Sequence, residues 1–513
     1  MKTQKPLRSL VPDIILEFER YREQIQFDLD LYEMHEGQVR KFVEDSLKSE
    51  LISKSAYNRA VQRIPSINIP RKVTDKLSKV YAEAPIRFSE KDNELIEDFS
   101  HLMQVNGEMQ YANQMSNLNK RCALEIYTED SKQKIRVLTA HQFFVYSDSP
   151  TSPDKPTVFV KLLGTEEKRR DTISTREGRR VTNEDDIILV QIFALYSDDE
   201  FLIVDSDGAI REDKMRDMGI TSSRNPFGVI PFIYINKSKT ELMPYPNQTA
   251  YDMGILIPKL LTDLNYSAQF LSHSVIWVRN ADMEGQEINP DAIVNLGDAD
   301  QDGNTPDMGT IDPRTDIDGV LKLIQFELGS YMSTEGLKAG SVGQIEASSA
   351  ASGISKIMDE SDATEARKQQ TELFRQAERE LWYKFSKMQA IWSRVGAVEK
   401  KDNFSPDFIE SFSIKFADIK PLESEKQKYE KMKIARDLKL ITKKQALKEL
   451  YPNLPEDQLD ARLKELEEEL KKEKDEMMSM GLTPSFTQLD QQQEGGAQTK
   501  AMNKEDNAGS KSE

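Results

Sequence analysis

Cysteine is almost absent from this chain, with one thiol, Cys122, in 513 residues. That excludes an intrachain disulfide and fits a reducing cytoplasm. Histidine is nearly as scarce. His35, His101, His141 and His273 lie far apart and in no ligand pair, so each reads as an ordinary core or surface residue. No apolar run is long enough to span a bilayer, and mean hydropathy is −0.62. The opening Met1–Pro6 lacks the apolar core of a signal peptide. The phosphate-cradling G-x-x-x-x-G-K-[ST] loop is missing, as are G-x-G-x-x-G and G-x-S-x-G.

Positive charge is in deficit. There are 70 Lys and Arg against 88 Asp and Glu, a net charge of −18. This argues against a protein that wraps nucleic acid tightly, which neutralises phosphates with clustered basic side chains. It leaves room for one that DNA slides past, since an acidic wall keeps contacts weak. A plain acidic, soluble protein is the reading that charge alone favours.

The length asks for roughly three structural regions. To about residue 125 the pattern is helical, with apolar residues three and four apart in Ile14–Tyr21 and Val73–Tyr81. Pro65 and Pro70 frame a break, and Asn106-Gly107 reads as a turn before another helix. From about 123 to 236 short β-rich runs take over: 123–127, 134–138, 143–146, 157–161, 186–192 and 200–204. The stretch 168–186 reads as a long hairpin tip or loop. A helical pattern returns at 245–273, then a Gly/Asp/Pro-rich section to 314, then a second helix with Ile317, Val320, Leu321, Ile324 and Leu328 on one face. Small residues crowd 336–353. A helix near 40 residues long follows to about 395, about 60 Å at 1.5 Å per residue. Phe412–Phe416 alternates like a strand. Residues 422–477 read as three helices, one opened by the capping box Thr442-Lys443-Lys444-Gln445. The tail from about 481 has little to bury and is expected to be disordered.

Chemistry-bearing signals are weak. Asp298, Asp300 and Asp302, with Gly303 and Asn304, match the first half of a calcium loop. Gly309 stands where the closing Glu belongs, and Asp307 is the nearest substitute. A solvated acidic turn is therefore favoured over a calcium or magnesium site. Lys168-Arg169-Arg170, with Arg176, Arg179 and Arg180, suits phosphate or a neighbouring acidic subunit about equally. No carboxylate pair stands out as an acid and base.

Several local signatures occur in an order that resembles the portal family of tailed bacteriophages, over about residues 60 to 475. Asn68–Asp75 followed by Ala84-Pro85-Ile86 resembles an early portal helix and its turn. Asn225–Phe232 resembles the Gly-x-Ile-Pro strand that precedes the stem. Ser352-Gly353-Ile354-Ser355 resembles the start of the long helix, and Phe416–Glu425 the strand after it. Leu440–Ala446 resembles the start of a crown helix. Pro258 inside the first stem helix departs from regular helix and either kinks it or marks its beginning.

The resemblance implies an α+β, mainly α fold with a β-containing wing, helical stem, small α/β clip, long kinked helix and helical crown. Its parts would be wing 1–244 with the β-rich part 123–236, stem helix 245–273, clip 274–314, stem helix 315–335, tunnel loop 336–350, long helix 351–396, wing strand 397–421 and crown 422–480. It implies a ring of twelve copies at one capsid vertex, for packaging, retention and ejection of double-stranded DNA. Partners would be the large terminase, then the head–tail adaptor, with major capsid and scaffold proteins during assembly in the host cytoplasm, and no membrane. Lys338, Gln344, Glu346, Lys259 and Lys322 would line the channel, with Asp263 facing DNA or neighbours. The chain would be no enzyme and need no cofactor. The alternatives are another oligomeric virion protein, an adaptor or scaffold, or a packaging enzyme. The missing phosphate loop predicts that the purified chain does not hydrolyse ATP; stoichiometric phosphate release would revive the enzyme reading.

Overall fold

The computed structural model divides into two units, Met1–Pro421 and Leu422–Glu513. It describes residues 3, 5–150, 152, 155–169, 187–217, 219, 220, 222–272, 275–279, 305, 307–311, 317–337 and 353–417 of the first, and 432, 433, 442–450, 462–466 and 468 of the second. Helix predominates over strand, as expected.

In the first unit, α1 (Leu7–Glu33) buries Leu7, Leu10, Val11, Ile14 and Phe18. A π turn at Met34–Gln38, with Gly37 at φ 108°, bends the chain into α2 (Val39–Glu50). Glycine takes that φ without a Cβ clash. After α3 (Lys54–Val61) comes α4 (Ile69–Leu77). Asn68 caps α4 by accepting the Arg71 N–H at 3.0 Å, and its amide donates to the Met34 and His35 carbonyls at 2.9 Å. One side chain thus starts α4 and pins it to the π turn. β1 (Ile86–Phe88), α5 (Asn93–Leu102) and α6 (Val105–Asn119) follow. Here the sequence reading needs correction: Asn106-Gly107 lies inside the first turn of α6, not before it. The break falls at Gln104, left-handed at φ 52°, because Val105 and Met109 are both fully buried and draw the helix one turn further back.

β2 (Arg121–Glu129), β3 (Lys132–Leu138), β4 (Phe143–Tyr146), β5 (Val158–Arg169), β6 (Ile187–Tyr196) and β7 (Phe201–Asp205) occupy the six β-rich runs. α7 (Glu212–Asp217) and β8 (Phe232–Asn236) complete this part. The strands form two antiparallel sheets, β3-β2-β8 and β4-β5-β6-β7. Phe18 of α1 packs on Phe144 and Phe193, and Phe159 stacks on Phe143 and on Phe232, at 5.0 and 4.0 Å. These aromatic contacts join sheet to helix and sheet to sheet.

Next come α8 (Gln248–Ser272), β9 (Val275–Arg279), β10 (Asp307–Ile311), α9 (Ile317–Thr334), α10 (Gly353–Val395), α11 (Phe408–Ser411) and β11 (Ser413–Lys415). β9 pairs with β10, and β11 pairs with β1 across more than 300 residues. The main core runs through α4 to α6, β2, β3, β8 and α8 to α10. In the second unit, α12 (Lys443–Leu450) has the expected capping box: the Gln445 N–H donates to Thr442 Oγ1 at 3.2 Å and the Thr442 N–H to Gln445 Oε1 at 2.9 Å.

One buried ion pair joins α1 to β2. Arg121 and Asp28 have fully buried side chains and bond directly, with Asn119 donating to Asp28 Oδ1 at 2.8 Å. Burial pushes the Asp28 carboxyl up to about 6 from its ordinary 3.8, against the opposing pull of Arg121. A carboxyl raised on folding lends stability that is full below about pH 4 and lost as pH climbs through about 6. Relative to Asp28→Asn, the wild-type chain should therefore lose up to about 3 kcal/mol between pH 4 and 7. Urea unfolding of both chains across that range measures it; a gap that does not change with pH contradicts the assignment.

Candidate functional site

The candidate site is the antiparallel hairpin of α8 and α9, tipped by β9 and β10. Asn247 begins it: Oδ1 accepts the Ala250 N–H at 3.1 Å, capping α8, and Nδ2 donates to Glu335 Oε1 at 2.7 Å. The first residue of one helix thereby holds the last turn of the other. At the far end Val275 pairs with Ile311. α9 ends where Gly336, at φ 73°, lets the Leu337 N–H reach the Met332 carbonyl at 2.7 Å. Leu337 is buried, so the first residues of the expected tunnel loop are anchored.

α8 sits deep. Ala250, Met253 and Ile257 are buried, and Gly254 faces Met34 and Pro70 so closely that a Cβ there would meet Pro70 Cγ at 2.9 Å. The sequence reading left Pro258 to kink α8 or to mark its start. The helix does not start there: it runs from Gln248 to Ser272 with Pro258 inside. Thr262 Oγ1 donates to the Pro258 carbonyl at 2.7 Å, and Pro258 itself is buried against the body of the unit. Packing on α2 and α4 holds the turn that the missing N–H weakens.

Lys237, just past β8, lies beside the hairpin's base. Its ammonium donates to Asn117 Oδ1, and burial pushes it down to about 8 despite the attraction of Glu335. Asn117 also bonds Ser78 Oγ and Gln370 Oε1, at 2.8 and 3.2 Å, and Asn113 donates to Gln370 at 2.7 Å. A polar network thus connects α4, α6 and α10 to the end of β8, with Glu335 and Asn247 next to it. Asn247 before a helical run is a cap signal of the ordinary kind. Lys237 and Glu335 carry no sequence signal, because only the fold brings them near each other.

The residues singled out from sequence divide as follows. Lys259 is on α8 and ion-paired with Glu50 at the end of α2. Asp263, one turn on, is exposed, and partial burial holds its carboxyl above the ordinary value. Lys322 is exposed on α9 and makes no ion pair among the described residues. Lys338, Gln344 and Glu346 lie outside the described residues, as do Asp298, Asp300, Asp302, most of the crown helices other than α12, and the tail from 481. Gly309, at the closing position of the acidic loop, is a strand residue opposite Trp277. Lys168 of the basic run is occupied by Asp205 and Asp207, at 3.0 and 2.9 Å. Arg170, Arg176, Arg179 and Arg180 lie outside the described residues.

Among the described residues no group of three His, Cys, Asp or Glu could hold a metal, and no helix is long and apolar enough to cross a membrane. His35 and His141 are both held below their ordinary value by burial, His141 at about 4 against the Tyr32 ring. His141 Nδ1 lies 3.1 Å from the Thr139 hydroxyl, and His35 Nδ1 lies 3.0 Å from Glu36 Oε1. Comparison with known proteins finds no family and no curated protein that matches this chain.

The seat of α8 is testable through its glycine. Gly254→Ala gains helix propensity but forces Met34 and Pro70 aside, for a net loss of about 1–3 kcal/mol in chemical unfolding. Gly107→Ala in α6, with open space around it, should instead gain up to about 1 kcal/mol. Equal effects at the two sites would contradict the close approach.

Proposed function

We propose that this chain is a portal subunit: one copy of a ring through which double-stranded DNA enters and leaves a phage head. The observation that carries the reading is an order of elements. A β-rich part is followed by a helix, a two-stranded antiparallel tip, a returning helix and then a single helix of 43 residues. That order supports the stem, clip, stem and long-helix reading that the sequence resemblance implies.

On this reading α8 and α9 are the stem, β9 and β10 part of the clip, and α10 the spine behind the channel. The clip would dock the ATP-driven terminase during packaging and the head–tail adaptor afterwards. The motor would supply hydrolysis, and this chain a passive acidic conduit whose contacts with DNA stay weak. Lys338, Gln344 and Glu346, between α9 and α10, would face the duplex. Lys259 is the weaker candidate for the channel, because Glu50 already neutralises it.

Rings of identical subunits use heterologous contacts that close on themselves. Mass measurement and negative-stain electron microscopy of the purified chain should give closed rings of about twelve copies with a central channel. A compact dimer or tetramer with no channel would contradict the reading.

A further inference from the structure

The hairpin carries an apolar surface that this chain does not cover. Val320, Ile324, Leu328 and Tyr331 turn one side of α9 toward the core. The other side shows Leu321, Leu323 and Phe326, which are 40%, 44% and 69% exposed. Among the described residues α9 packs chiefly on α8. A helix that is apolar on both sides is one that something covers on both sides. A bilayer is a poor cover, since no described helix is long and apolar enough to cross one. DNA phosphate offers nothing to Leu323 or Phe326.

Charge points to the occupant. Lys322 and Phe326, four residues apart, share a face of α9, and among the described residues Lys322 makes no ion pair. Asp263 is exposed on α8, feels the opposing charges of Lys259 and Glu50, which pair with each other, and makes no ion pair with a described residue. From the Asn247–Glu335 bond at the base, 16 residues lead up α8 to Asp263 and 13 lead up α9 to Lys322, a difference of about 5 Å in height at 1.5 Å per residue. Both charges therefore stand within about one turn of the same height, yet within one chain they do not pair. Rotation about an axis running along the hairpin preserves height. It brings the Lys322 of one copy to the Asp263 of the next.

We propose that the outer face of α9, centred on Phe326, Leu323 and Lys322, packs on α8 of a second copy, with Lys322 paired to that copy's Asp263. The inference rests on the ring reading and deepens it: Lys322 belongs to a subunit contact, not to the channel wall. The contact is heterologous, so every copy both gives an α9 face and receives one.

The test uses the full chain, whose one native thiol, Cys122, is fully buried. Lys322→Cys with Asp263→Cys in the same chain should, on mild oxidation, give a ladder of disulfide-linked oligomers on a denaturing gel. Neither single variant should give a ladder. Lys322→Asp should raise the concentration for half-assembly about tenfold, and adding Asp263→Lys should restore it. Phe326→Ser should weaken assembly at least as much without restoring partner. Rings by mass with no ladder and no charge rescue would overturn this surface and leave the portal reading standing. A ladder that stops at dimers would overturn the heterologous contact and the ring together. A wild-type chain that stays monomeric at every concentration would overturn the second copy as occupant.

Discussion

A carboxylate with no exposed surface fixes where the longest helix lies. Glu378 of α10 is wholly buried, and the chain answers it with three donors. Arg87 grips it with Nε and Nη2, at 2.6 and 2.7 Å, and the Tyr81 hydroxyl donates at 2.8 Å. Burial and the neighbouring Glu378 push the Tyr81 phenol well above its usual value, so it stays protonated and remains a donor. A buried pair of this kind adds little net stability, but removing one partner strands a charge at a cost of about 3–5 kcal/mol. Arg87 sits on β1, whose partner is β11, so the clasp ties α10 to strands on both sides of it in sequence. Phe374, Leu381, Trp382, Phe385 and Met388 then fill the core along the same helix. The hairpin of α8 and α9 joins the same core, and α8 packs there on α2 and α4.

Much of this was legible in the sequence because burial on one side leaves a period. The six β runs, the helical spacing at 245–273, the second helix after 314 and the long helix to 395 all follow from alternation or three-and-four spacing. The capping box at Thr442 was legible for a different reason, since its two bonds are local. What escaped was long-range or conformational. The partners of Arg121 and Glu378 are 93 and 291 residues away, at Asp28 and Arg87, and no pattern announces such pairs. The turn before α6 was misplaced by a few residues because Asn-Gly is a turn signal, whereas the burial of Val105 is a tertiary fact. Pro258 read as a break because its cost is local, while the packing that offsets it comes from α2 and α4. Of the candidate site, the two helices were legible. The base of the hairpin, where Asn247, Glu335 and Lys237 gather, was not.

Several charges of the described residues are answered within the chain, as Lys259 is by Glu50 and Lys168 by Asp205 and Asp207. Burial holds His35 and His141 below their ordinary value, and Cys122 of β2 is buried against α6, its thiol pushed up by burial. On the hairpin, Leu323 and Phe326 of α9 stand exposed with Lys322 beside them. In the portal reading that is the expected place for unfinished business, because a stem is complete only in the ring. The acidic surplus of the chain then suits a wall that DNA passes without binding.

The most direct measurement is a cryo-electron-microscopy reconstruction of the assembled protein at side-chain resolution. The account predicts that α8 and α9 run along the symmetry axis beside the channel, with Phe326 buried against the next copy and Lys322 on its Asp263. A closed assembly in which this hairpin projects outward, with Phe326 in solvent, would contradict it.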